Sequence, residues 1–326
     1  MQTEFSRALG IEVPLIGGAM YPCSNPELVA AISAAGGIGI VQPLSLTYVH
    51  NYDFREGLRY IRRLTRKPIG VNLIVEKSSR KYLQRVHRWL EISLEEEVPF
   101  FVTALGNPRW VVERAGPAGV TVYHDVTSRK WAEKALDGGV DGLICVNDRA
   151  GGHAGTLSPR RLFDELSPLG RPLICAGGIG SPAGFADAIR MGYQGVQFGT
   201  RFIATDECHA RPDYKSAILR AGEEDIVLSE KITGVPVSVI RTDFIEHTGT
   251  RAGPVARWML RGHRTRHWMR TIYSLQSIWK LKRAYLQGTV YRDIFQAGKS
   301  VSAISEIRPA ADIIAACAAA LQEIPE

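Results

Sequence analysis

The chain lacks several features that would have settled its class early. Its 326 residues include five cysteines (Cys23, Cys145, Cys175, Cys208, Cys317) and no Cys-x-x-Cys pair, so neither a zinc site nor a redox dithiol is indicated. Three of the five sit in apolar runs and read as buried packing residues. No apolar run approaches the roughly 18 to 20 residues that cross a bilayer, and residues 1–10 lack the charged start and apolar stretch of a signal peptide. A cytoplasmic protein with no stable membrane insertion is expected. Low-complexity tracts and internal repeats are missing too, and 45% apolar with 22% charged residues excludes a disordered or collagenous chain. One further absence is local: between Arg251 and Arg292 there are ten Lys and Arg and no Asp or Glu, so the formal charge of +7 comes from this segment and the rest nets −3.

What the chain does have is alternation. Short β-branched runs at 14–20, 38–42, 68–75, 100–105, 120–126, 142–147, 172–178 and 195–202 alternate with segments of 3.6-residue periodicity such as 26–35, 82–94, 129–136 and 182–189. Several of these helical segments open on Ser or Asn at a cap position. Runs that are apolar almost throughout suit parallel strands covered by helices. An open doubly wound sheet shares this pattern, but it usually carries its glycine turn after the first strand. Here Gly177-Gly178-Ile179-Gly180 and Gly199-Thr200 follow the seventh and eighth runs, where (β/α)8 barrels bind phosphate. The expected fold is therefore a TIM barrel over residues 1–212. A helical, basic substrate or lid subdomain over 213–299 is expected to follow, with Trp268, Ile272, Leu275 and Trp279 on one face. A C-terminal helix within 300–326 should then return to the barrel.

Two motifs carry chemistry. Glycines without a Cβ let backbone N–H groups approach phosphate oxygens, a helix N-terminus adds partial positive charge, and Thr200 adds a hydroxyl. Such glycines can also serve only as tight turns, yet two in successive loops favour a single phosphate. The second motif, Ala150-Gly151-Gly152-His153-Ala154-Gly155, follows the sixth run. Its glycines leave room for a flat ring against the backbone, and the His153 imidazole can move a proton near neutral pH. A lone histidine there can also cap a turn; three flanking glycines favour the catalytic reading.

These residues, in this order, make the chain resemble the nitronate monooxygenase family, also called 2-nitropropane dioxygenases, and the related FMN-dependent enoyl-acyl-carrier-protein reductases. The resemblance also rests on Pro14-Leu15-Ile16 through Met20, Pro26-Glu27-Leu28, Ala35-Gly36-Gly37-Ile38-Gly39, Gly70-Val71-Asn72, Ala176 to Ile179, Gly195 to Phe202 and Gln296-Ala297-Gly298. It implies FMN at the C-terminal face of the strands, with Met20 near the ring, Asn72 bonded to it and Gly151 in contact. Gly177, Gly178, Gly199 and Thr200 would hold the phosphate, and His153 would be the catalytic base toward a nitroalkane or nitronate. O2 or another electron acceptor would complete the cycle. The chain departs from the family at three places. Gly17-Gly18-Ala19-Met20 replaces Gln-Ala-Pro-Met, Val146-Asn147-Asp148-Arg149 replaces Gln-Gly-x-Glu, and Asp125 stands where some relatives place a lysine beside the ring.

The basic segment has three readings: a solvated helix face, a dock for an anionic partner such as NAD(P)H or a phosphopantetheine-borne acyl chain, and membrane-surface contact. No nucleic-acid-binding motif accompanies the charge, so a nucleic-acid partner is not expected. The alternative activity is accordingly an NAD(P)H-dependent FMN reductase of an enoyl thioester or quinone. A third reading keeps FMN as a non-catalytic ligand, and His153 argues against it. A small-molecule substrate and no metal are expected, and a homodimer is compatible with the sequence.

Overall fold

A computed structural model describes residues 2–76, 80–230, 235–251 and 294–324. Eight parallel strands close into a barrel in sequence order: β1 (Leu15–Gly17), β2 (Ile38–Val41), β3 (Ile69–Ile74), β4 (Phe100–Ala104), β5 (Thr121–Val126), β6 (Gly142–Val146), β7 (Leu173–Ala176) and β8 (Gly195–Phe198). Closure is direct, with Leu15, Ile16 and Gly17 in register with Val196, Gln197 and Phe198. All eight expected runs are strands. The eighth is shorter than its apolar pattern, because Thr200–Ile203 turns into a short helix.

Helices α1 (Glu4–Leu9), α2 (Pro26–Ala34), α3 (Phe54–Leu64), α4 (Arg80–Glu95), α5 (Arg109–Ala115), α6 (Arg129–Asp137), α7 (Pro159–Leu166), α8 (Pro182–Arg190), α9 (Thr200–Ile203), α10 (Pro212–Arg220), α11 (Asp243–Thr248) and α12 (Ala310–Gln322) surround the strands. Capping explains some of the starts. Ser181 accepts from Gly184 N–H at 3.2 Å ahead of Pro182, and Asp53 accepts from Arg55 N–H at 3.0 Å. Asn25 and Ser128 occupy cap positions without making a cap bond. Asn25 donates instead to Glu27 at 2.9 Å and to the Glu207 carbonyl at 2.9 Å. The C-terminal helix α12 packs on both α8 and α2, which places it outside β8 and completes the helical ring.

Alternation along the strands divides the apolar residues in two. Ile16, Ile38, Ile40, Phe100, Val102, Tyr123, Ile144 and Ile174 point into the barrel, and α1 plugs its N-terminal end with Phe5 and Leu9. Phe5 lies 5.9 Å from Phe100 and 5.5 Å from Tyr123, centroid to centroid. The other faces pack under the helices, and all five cysteines are buried and free. Strand β2 lies so close to α2 that a Cβ on Gly39 would stand 2.2 Å from the Val29 carbonyl oxygen. Gly39→Ala should therefore cost about 1–3 kcal/mol through overpacking against rigid backbone, read as a lower denaturant midpoint.

Within 213–299, expected to be helical, the structure places an antiparallel pair, β9 (Ile226–Ser229) and β10 (Val237–Ile240). Its Val-Ser-Val alternation is too short to stand out from turn signals, and pairing supplies the rest. The tryptophan-bearing helical face and nearly all of the basic segment fall outside the described residues. Among the described residues no helix is long and apolar enough to cross a membrane.

Candidate active site

The apolar interior ends at a polar rim on the C-terminal side. Following the alternation of β3, Asn72 faces inward; it is buried and donates from Nδ2 to the Val102 carbonyl at 3.2 Å. Gln197 on β8 faces inward beside Gly18, where a Cβ would lie 3.0 Å from its Cγ. Asp125 is two residues beyond inward-facing Tyr123 and in register with inward-facing Ile144. Its Oδ1 is buried without a hydrogen-bond partner, and lost hydration pushes the carboxyl up to about 7. His124, the next residue back, faces the helices instead. Its Nδ1 lies 2.8 Å from Thr103 Oγ1, and burial pulls it down to about 4.

Met20 sits in the loop after β1, its N–H donating to Ser24 Oγ at 2.9 Å. Its Sδ lies 3.8 Å from the point a Cβ on Gly199 would occupy, so the β1 and β8 loops face each other. The β6, β7 and β8 loops converge more tightly. Gly177 (φ 120°) and Gly178 (φ 76°) adopt conformations that favour glycine. A Cβ on Gly177 would meet Asn147 Oδ1 at 2.5 Å, and one on Gly178 would meet Arg149 Nε at 2.5 Å. The side chains of the β6 loop thus occupy the space the two glycines leave. Gly177 and Gly178 directly follow β7, and Gly199 and Thr200 directly follow β8.

Asn147, named above only as part of a departure from the family pattern, holds this arrangement together. Fully buried, it donates to the Gly177 carbonyl at 3.0 Å and accepts from Arg149 N–H at 2.9 Å. The one signal for it is a polar residue ending an apolar strand just before a glycine loop. Gly298, a carrier of the resemblance with no role assigned to it, is another member: its N–H donates to Thr200 Oγ1 at 3.0 Å, and a Cβ there would fall 2.5 Å from Gly151 N. Arg149, the basic departure from the family pattern, pairs with Glu223, so the structure supplies it with a counter-charge.

His153 follows Gly152, which has φ 68° and whose carbonyl accepts from Ser238 N–H at 2.8 Å. Strand β10 therefore pins the histidine loop, and β10 is tied in turn to the 294–298 segment by Ile240 N–H to the Phe295 carbonyl at 2.8 Å. The ring of His153 is exposed, yet enough protein surrounds it that lost hydration holds its pKa below the usual imidazole value. Loop contacts bring Gly151, Gly177, Gly178, Gly199, Thr200 and Met20 together, while Asn72 and Asp125 line the inner wall of the same mouth.

The family model described as nitronate monooxygenase matches residues 2–319. The chain belongs to that family. As a nitronate monooxygenase family member it is an oxidoreductase, and its relatives are named for more than one reaction. It is 26% identical to an octahydro-indene-carboxyl-CoA dehydrogenase of Rhodococcus jostii, over 96% of this chain and 94% of the relative. It is 28% identical to a probable nitronate monooxygenase of Staphylococcus saprophyticus, over 75% of this chain and 80% of that one. In three dimensions it is similar to FabK from Thermotoga maritima, with TM-score 0.78 and 30% identity over 99% of this chain and 97% of that chain.

Proposed function

We propose that this family member is an FMN-dependent oxidoreductase that acts on alkyl nitronates and nitroalkanes with O2 as electron acceptor. One observation carries the reading: the backbone N–H groups of the glycine loops after β7 and β8 lie beside a glycine-flanked histidine at the polar mouth of a barrel. Those N–H groups suit a phosphate, as does the Thr200 hydroxyl at the start of a helix. A monophosphate fits the single cradle better than a dinucleotide does. Bound FMN supplies the redox chemistry.

The chain's own residues do the rest. Glycines 151 and 152 leave a backbone surface without side chains against which a flat ring can rest, Met20 and Gly199 bound it across the mouth, and Asn72 offers an amide from the wall. His153 receives the proton α to a nitro group, or orients a substrate that arrives already ionised. A depressed pKa keeps it unprotonated, and so able to accept, across neutral pH.

A second reading has its own support. The dehydrogenase relative acts, by name, on a CoA thioester, and ten cations without an acid between Arg251 and Arg292 suit an anionic carrier or nicotinamide nucleotide. Anaerobic mixing of the flavin-loaded protein with a nitronate, NADH, NADPH or an acyl-CoA separates the two. Loss of visible absorbance with nitronate alone is the expected result. Loss with a nicotinamide or acyl-CoA, and none with nitronate, would replace the first reading by the second.

A further inference from the structure

Asp125 is an inward-facing acid at the barrel mouth whose role the proposed chemistry leaves open. Its carboxyl makes no hydrogen bond or ion pair among the described residues, and Oδ1 is shut off from solvent. Such a group is costly when ionised and also unsatisfied when neutral, unless a ligand completes it. Among the described residues its surroundings offer no counter-charge. On β4, Ala104 continues the register that pairs Thr103 with His124; β6 presents Ile144 and Val146, which do not titrate. The nearest titratable groups on these walls are Tyr123, one inward step down β5, and Cys145 on β6. Both are pushed up by burial and stay protonated, and Asp125 contributes to the Cys145 shift. His124 faces the helices and is neutral near pH 7. At the mouth itself, His153 is also unprotonated there.

We propose that Asp125 enters the site as a neutral carboxylic acid and donates a hydrogen bond to a carbonyl oxygen of the bound FMN ring, so that its ionisation weakens cofactor binding. The inference rests on the FMN reading and deepens it. It also accounts for an acid where a base is expected: a protonated acid brings a donor to the ring without bringing negative charge.

The test is the FMN dissociation constant of the wild-type protein, measured by quenching of FMN fluorescence from pH 6.5 to 8.5. That window lies above the second ionisation of a phosphate monoester, at about 6. Binding restricted to the acid form predicts a rise of roughly twenty-five-fold across it, given a free carboxyl that titrates at about 7. Asp125→Asn keeps a neutral donor of nearly the same shape, so its affinity should match wild type within about threefold at pH 6.5 and stay flat to pH 8.5. Melting of the apoprotein gives a readout without cofactor. A carboxyl raised above its unfolded value destabilises increasingly as pH climbs from about 4 to about 7, so Asp125→Asn should melt higher than wild type at pH 8 and alike near pH 4. A wild-type affinity independent of pH, or an Asp125→Asn profile with the wild-type slope, overturns this inference alone. No FMN binding by wild type at any pH overturns the FMN reading and this inference together.

Discussion

Thr200→Asp yields a folded protein that is purified colourless and stays so when FMN is added. The expectation follows from what surrounds the side chain. Thr200 is buried at the first turn of α9, and its Oγ1 accepts from Gly298 N–H. A carboxylate oxygen can accept the same hydrogen bond, so the tie to the 294–298 segment survives. The phosphate meets a negative charge where the hydroxyl stood. Two unit charges about 4 Å apart in an effective dielectric of about 20 repel by about 4 kcal/mol, close to a thousandfold in affinity. Thr200→Ser retains the hydroxyl and should stay yellow. Visible absorbance together with the melting temperature separates loss of cofactor from loss of fold. Full colour in Thr200→Asp would move the phosphate elsewhere.

The second large effect belongs to His153. Replacing it by alanine should leave FMN bound, because the loop is held by Ser238 N–H on the Gly152 carbonyl and not by the imidazole. Turnover of a neutral nitroalkane should fall by about 10²- to 10⁴-fold, the usual worth of a positioned base, while a pre-ionised nitronate should lose much less. Equal losses for both substrates would show that proton removal is not its task. Because the pKa lies below the ordinary imidazole value, wild-type activity on nitroalkanes should fall only as pH drops through that lower value and be level above it. His153→Ala should lack this acid limb.

The strand count was legible because apolar runs with small or polar ends are the requirement for a parallel strand buried on both faces, and each of the eight met it. The phosphate glycines could be found for a related reason: φ values of 120° and 76° at Gly177 and Gly178 leave few other residues possible. The roles of Asn147 and Gly298 stayed hidden because their work is done across the fold. Asn147 bonds to Gly177 thirty positions away, and Gly298 to Thr200 at a separation of 98. No local pattern encodes such partners. Arg149 posed the opposite problem: as a sequence feature it reverses a charge in the family motif, and only its pairing with Glu223, 74 positions on, shows that charge to be balanced.

By itself the amino-acid order determined the eight-fold alternation, the late position of the glycine loops and the glycine-flanked histidine. Each depends on periodicity or on backbone freedom, which are properties of short stretches. The tertiary structure alone decided that Asp125 is buried with an unpartnered oxygen, which loops meet at the mouth, and that β10 steadies the histidine loop. Those outcomes depend on how solvent is excluded and which distant groups meet, and closing the barrel settles both at once.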